Sequence, residues 1–330
     1  WTPLLTHFLY KYRMWRKVGR TKAPDGGGTP IFASLHAERE VSVPRMGGLL
    51  IWLTSVVVIY AFWAIDQLTE SPILDKINFL SRNQTWLPLF TLVAASLLGL
   101  ADDLLQVYRR GSYVAGGLKF RVRVLAVLLI GLVGAYWFYF RLEQNSIYIP
   151  GLGDVVIGLW FIPLFVMTML ATFSTAVTDG LDGLAGGVFA TIFAAYGGIA
   201  FFRGQIDLAA FSAVLLGALL AFLWFNIPPA RFYMGETGIL GLTTTLTVIA
   251  FLTNSVIVLP IIAFVPAAEA ASVIIQLLSK RFRGRKVLLV APLHHHFEAK
   301  GWPSYKVTMR FWVISVVFAI IGMVVALVGR

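Results

Sequence analysis

Residues 174–187 read STAVTDGLDGLAGG, and apolar runs flank them on both sides, 155–173 before and 185–202 after. Each run is close to the roughly 20 residues that cross a hydrocarbon core. Asp179 and Asp182 therefore lie between two spans, with no lysine or arginine nearby in sequence to neutralise them. The composition agrees. The 330 residues are 58% hydrophobic and 13% charged, with a mean hydropathy of +0.80, where a soluble domain carries about 25% charged residues. Lipid is the solvent this chain needs. The lack of cysteine excludes disulfides and thiolate metal sites. The net charge of +11 suits basic loops facing anionic headgroups better than it suits nucleic acid, which is not an expected partner.

Working outward, nine apolar runs are long enough to span: 47–66, 86–101, 122–140, 155–173, 185–202, 208–225, 237–253, 256–278 and 311–329. The opening WTPLLTHFLYKYRMWRKVGR has the character of the end of a further helix entering a basic loop. Residues 1–46 are expected to hold that partial helix and a cytoplasmic loop, within one transmembrane domain covering 1–330. APDGGGTP at 23–30 is rich in turn-forming residues. The segments before the first run and after every second run hold 22 of the 27 lysines and arginines, leaving Lys76, Arg82, Arg141, Arg203 and Arg330 on the other side. The basic side is cytoplasmic by the positive-inside rule. The expectation is an all-α, polytopic integral membrane protein with its C-terminus outside.

Four loops on the basic side carry the unusual polar residues: LADDLL with Asp102 and Asp103, TDGLDG with Asp179 and Asp182, NIPPARFYMGETG with Glu236, and APLHHHFEAKGW with His294, His295 and His296. Asp102 and Asp103 close a span, where the helix dipole disfavours carboxylates by about 0.3–1 kcal/mol each. A divalent cation or a proton-transfer role would offset that cost; the plainer alternative is a solvated loop start. Thr178 is a candidate cap for the following helix, with the two acids in its first turn. Spacing i, i+3 would then set both carboxylates on one helical face, and Gly180 and Gly183 would let a ligand approach the backbone. Glu236 follows a stretch stiffened by Pro228 and Pro229 that displays Arg231, Phe232 and Tyr233. Both it and its neighbours are also readable as dipole and aromatic-belt residues. Three consecutive histidines diverge by about 100° each on a helix, which is poor geometry for zinc; they suit phosphate contacts or proton transfer. SKRFRGRK at 279–286 fits a headgroup anchor. Carboxylates, imidazoles and cations at one membrane face are the inventory of metal-assisted phosphoryl transfer.

At these residues the chain resembles the polyprenyl-phosphate N-acetylhexosamine-1-phosphate transferases. ADD, TDGLDGLAGG, FLWFN…MGETG and APLHHHFEAKGWP…VTMRFWVIS match in order and spacing, from PRMGG at 44–48 to the end. The histidine run with KGWP and RFW resembles the branch that acts on MurNAc-pentapeptide. The resemblance implies ten helices with both ends outside, the first one truncated here. It implies transfer of phospho-MurNAc-pentapeptide from UDP-MurNAc-pentapeptide to undecaprenyl phosphate with Mg²⁺, giving lipid I and UMP, at the cytoplasmic face of the bacterial inner membrane, with a homodimer among the expected assemblies. By the same resemblance Asp102 and Asp103 handle the lipid phosphate or its proton, Asp179 and Glu236 bind metal, and His294 is catalytic. Gly180, Leu181, Asp182, Asn226 and Tyr233 form the uridine pocket, His295 and His296 contact substrate, and Lys119 stands near the phosphates.

Several positions depart from the family pattern. STAVTDG lacks two asparagines before Asp179, VPRMGG carries Arg45, Gln106 stands near an expected lysine, and Glu236 replaces an aspartate. Two other functions share the inventory: a sister transferase using UDP-GlcNAc, and a transporter, which would place its ionisable groups near the bilayer midplane on broken helices. Direct attack by the lipid phosphate and a covalent phosphosugar-aspartate route are both open chemistries.

Overall fold

Each of the nine apolar runs carries helix in the computed structural model, which describes residues 1–17, 19, 40–69, 78–81, 83–110 and 117–329. The 23–30 stretch lies outside the described residues. In chain order the helices are α1 (Thr2–Lys11), α2 (Gly48–Leu68), α3 (Asn83–Val107), α4 (Phe120–Tyr136), α5 (Phe161–Ser174), α6 (Leu184–Phe202), α7 (Ile206–Asn226), α8 (Glu236–Leu252), α9 (Leu259–Ile262), α10 (Phe264–Arg283), α11 (Leu293–Ala299) and α12 (Ser304–Val328). Seven helical segments among the described residues are long and apolar enough to cross a membrane. The runs at 237–253 and 256–278 differ from simple spans, each for a physical reason.

Helix α8 has only 17 residues, about 25 Å of rise, and every residue from Thr237 to Leu252 is buried. It is the axis of the bundle, packed most extensively on α3 and also against α2 and α5. Small residues permit that approach. A methyl group on Gly99 would overlap the backbone of Glu236 and Thr237, and one on Gly48 would overlap Gly238. Most polar side chains of α8 are satisfied internally, as a lipid-embedded core requires, the buried Thr245 hydroxyl being the exception. Thr243 and Thr244 donate to the carbonyls of Ile239 and Leu240 at 2.9 and 2.7 Å, and Thr247 pairs with Thr172 of α5 at 2.6 Å.

The 256–278 run breaks at Ala263, where α9 and α10 meet with a bend of 82°. Pro266 lacks the N–H that would continue the ladder to Ile262, which favours a break at this point. The 155–173 run also starts differently. Residues Ser146–Ile149 and Gly153–Val156 form an antiparallel hairpin, β1 and β2, and α5 begins only at Phe161. Gly151, Gly153 and Gly158 all have positive φ there, the conformation that glycine adopts without strain. Asn254, just past α8, accepts the Tyr148 N–H and donates to Asp154, both at 3.0 Å. The hairpin thus marks the end of the bundle opposite to Glu236. Between them Phe138, Phe161, Phe165 and Phe251 pack with ring centroids 4.7–6.4 Å apart.

Gly99→Ala is expected to cost about 1–3 kcal/mol, because the rigid backbone of α8 stands where the methyl group must go. Gly217→Ala, which meets nothing within 4 Å, is expected to be neutral or to stabilise by less than about 1 kcal/mol. Thermal unfolding in detergent compares the two; equal midpoints would refute the close-packing account.

Candidate active site

The end of the bundle where α3 finishes and α8 begins gathers the polar residues of all four loops. Asp102 and Asp103 sit one turn inside α3, which continues to Val107, and both are buried. Consecutive helical residues point about 100° apart, so the two carboxylates reach different partners. Asp102 accepts from Gln106 Nε2 at 2.9 Å and from the Leu118 amide, with Arg123 Nη1 at 3.6 Å. Asp103 accepts the Thr237 N–H at 2.9 Å and Arg45 Nε at 3.4 Å. The repulsion expected of an adjacent acidic pair is met by two arginines from elsewhere in the chain.

Asp179 and Asp182 do not share a helical face. The segment Thr175–Thr178 is a tight 3-10 turn, and α6 starts only at Leu184, capped by Gly183 at φ +75°. Thr178 is therefore not the helix cap; its hydroxyl is buried without a hydrogen-bond partner. The turn sends the two acids to different points of the 226–236 loop. Asp179 Oδ2 accepts the Gly235 N–H at 3.1 Å, and Asp182 Oδ2 accepts the Ala230 N–H at 3.0 Å. Glu236, next to Gly235, forms a 2.7 Å ion pair with Arg123 Nη1. Exclusion from water pushes the Asp179 carboxyl up to about 6; Arg45 opposes this, while Glu236 and Asp103 add to it. Burial alone would lower Arg45, but Asp103, Asp179, Glu236 and Glu40 together raise it above its ordinary value.

The expected nucleotide residues lie along the same loop. Asn226 accepts the Gly183 N–H at 3.0 Å and donates to the Phe232 carbonyl at 2.8 Å, tying the TDGLDG turn to the end of α7. The backbone of Tyr233 pairs with Pro44 and Gly47, both at 2.8 Å. Leu181 is buried beside these groups. Lys119 is exposed at the start of α4, one residue after the amide that binds Asp102. The three histidines turn to three different partners. His294 Nδ1 lies 3.0 Å from Glu269 Oε2, His295 Nδ1 lies 2.7 Å from Glu298 Oε2, and His296 Nδ1 accepts the Leu289 N–H at 3.2 Å. Burial, then Lys300, lowers His296 below the ordinary imidazole value, as befits a ring nitrogen that accepts. His294 reaches the acidic end of the site, since a methyl group on Gly180 would overlap its imidazole.

The partners of three residues of this site, Arg45, Arg123 and Glu269, are not legible from the sequence alone. The two arginines count only as positive-inside charge until the fold pairs them. Glu269 is discoverable, because an acid inside an apolar run is costly unless it has a partner. Among the described residues no three carboxylate or imidazole groups gather to close a metal shell. Asp179 and Glu236, flanking Gly235, fit Mg²⁺, which takes one or two carboxylates and fills its octahedron with water and phosphate oxygens.

Residues 85–254 match the profile of glycosyl transferase family 4. The phospho-N-acetylmuramoyl-pentapeptide-transferase of Granulibacter bethesdensis is 36% identical over 98% of this chain and 90% of its own length. Proteins of the same name from Anoxybacillus flavithermus (36% identity, 86% and 84% coverage) and Latilactobacillus sakei (31%, 98% and 98%) align similarly. The chain belongs to the phospho-N-acetylmuramoyl-pentapeptide-transferase family. It is a membrane-embedded transferase. Neither the UDP-GlcNAc reaction nor transport is favoured by these matches, and the ionisable groups cluster at one end of the bundle rather than at its middle. In this chain Glu236 ends on Arg123, and Gln106 bridges Asp102 to Arg16, whose Nε is 2.8 Å from Gln106 Oε1.

Arg45→Met is expected to destabilise the protein by about 3 kcal/mol, since it leaves the buried Asp103 carboxylate without its guanidinium. Pairing the change with Asp103→Asn should recover most of the loss. Thermal midpoints in detergent for the two variants decide it, and an Arg45→Met protein as stable as the parent would contradict the pairing.

Proposed function

We propose that this chain transfers phospho-MurNAc-pentapeptide from UDP-MurNAc-pentapeptide to undecaprenyl phosphate, releasing UMP and forming lipid I at the cytoplasmic face of the bacterial inner membrane. The observation that carries this reading is the Gly235 N–H on Asp179, which sets Asp179 alongside Glu236 although 56 residues separate Asp179 from Gly235. Family membership and the excess of basic residues on the site's side of the membrane support the substrates and the orientation.

In this scheme the lipid phosphate is held in its deprotonated form by Asp102 or Asp103, and one of its oxygens attacks the β-phosphorus that bears the sugar. The bond from that phosphorus to the bridging oxygen breaks, and UMP leaves with the electron pair. Bound at Asp179 and Glu236, Mg²⁺ would neutralise phosphate oxygens and the charge growing on the leaving group. Arg123, bridging Asp102 and Glu236, orders the carboxylates before substrate arrives. The loop from Asn226 to Tyr233 supplies the edge and the ring on which a uridine would rest. Preorganised charge of this kind contributes through interactions that strengthen in the transition state; losing one such contact costs about 10²–10³ in kcat.

A radiolabelled transfer assay comparing UDP-MurNAc-pentapeptide with UDP-GlcNAc, with and without Mg²⁺, tests the proposal. Product is expected only with the pentapeptide nucleotide and is expected to vanish on chelation; lipid-linked GlcNAc would overturn it. Asp179→Asn is expected to lower UMP release at least 100-fold while the detergent-solubilised protein keeps its thermal midpoint. Parental activity in that variant would remove Asp179 from the chemistry, and a trapped phosphosugar adduct on an aspartate would refute direct attack.

A further inference from the structure

Glu269 is fully buried in α10, six residues beyond the bend at Ala263, in a stretch otherwise made of alanine and serine. An isolated carboxylate in such a place is costly. Both of its oxygens are committed to one residue. Oε1 accepts the His294 backbone N–H at 3.1 Å, and Oε2 lies 3.0 Å from His294 Nδ1. The two contacts fix the start of α11 and the plane of the imidazole together. A carboxylate can only accept there, so Nδ1 must carry the proton. That leaves Nε2 as the ring nitrogen with a lone pair to offer. Nε2 is itself buried and has no hydrogen-bond partner, and it points at the Gly180 backbone, where any side chain would collide with it. Buried polar atoms are normally paired; this one is aimed at the residue following Asp179.

From this geometry we infer that Glu269 is a positioning residue, which locks His294 in the Nδ1–H tautomer with Nε2 directed over Gly180 at the transferred phosphate. The inference rests on the proposed reaction and deepens it. A carboxylate behind an imidazole holds the ring's orientation and favours the protonated form when charge develops in front of it. Here that form would place an Nε2–H donor beside a phosphate oxygen. The titratable groups shown against the ring are Glu269 from α10 and His295, whose ring centroid is 4.1 Å away. The simpler role, a staple joining α11 to α10, would need the two contacts but not the empty Nε2.

Two measurements on the full-length protein in detergent separate these roles. Glu269→Gln keeps the size and an accepting oxygen but loses the charge. It is expected to lower kcat for UMP release about 10–100-fold, with KM for the nucleotide within about threefold and the pH profile of kcat displaced. The double variant Glu269→Gln/His294→Ala should be no slower than His294→Ala alone, because the glutamate acts through the histidine. Parental kcat and pH profile in Glu269→Gln, or additive losses in the double variant, would overturn the inference. Should Glu269→Gln not fold, ¹⁵N-histidine NMR of the parent, assigned by comparison with His294→Ala, reads the tautomer directly. An unprotonated Nε2 supports the assignment and an Nε2–H overturns it. If the parent protein itself released no UMP from UDP-MurNAc-pentapeptide, the proposed reaction would fall instead.

Discussion

A single buried guanidinium, that of Arg45, is the contact on which the acidic end of the bundle depends. It touches Asp103 and acts at longer range on Asp179 and Glu236. Three carboxylates from three segments would otherwise repel one another, and Asp103 among them is wholly shut off from water. Arg123 performs the same service for Asp102 and Glu236. Two fixed cations thus stand among four carboxylates, and Asp102, Asp103 and Asp179 are also held by main-chain amides of Leu118, Thr237 and Gly235. Such amides cannot move away without breaking the helix or loop that bears them.

The axis helix α8 links this electrostatic arrangement to packing. Its first residues supply Glu236 and the Thr237 amide, and its remaining length is sealed by glycines and back-bonded threonines. Gly99 and Gly48 let α3 and α2 come within backbone contact of it. The distance between Asp103 and Thr237 is therefore set by side chains that are missing, as much as by those present. Activity and stability share the same joint.

Much of this was legible in the sequence. The nine helical runs follow from apolar length, and the placing of four polar loops on one side follows from the count of lysines and arginines. What local pattern could not give is pairing. Arg45, Arg123 and Gln106 read as loop charge or family departures until distant segments meet. The i, i+3 spacing of Asp179 and Asp182 suggested one helical face, yet Gly183 in the left-handed region delays α6 and the two carboxylates diverge. Proline 266 was visible inside an apolar run, but the 82° turn it permits depends on the helices around it. Glu269 in the same run is masked by the apolar residues around it, over which hydropathy averages.

The bend at Ala263 also acts as a lever. Glu269 stands six residues along the outer arm, about 9 Å from the pivot at 1.5 Å per residue. Swinging that arm by 10° would displace the carboxylate by about 1.6 Å, far more than a 3 Å hydrogen bond tolerates. The arm is clamped near its pivot, where Phe264 lies flat against Phe318 of α12 with centroids 3.9 Å apart and planes within 7°. An aromatic pair beside the bend therefore helps to hold the arm whose Glu269 carboxylate sets the plane of the His294 imidazole.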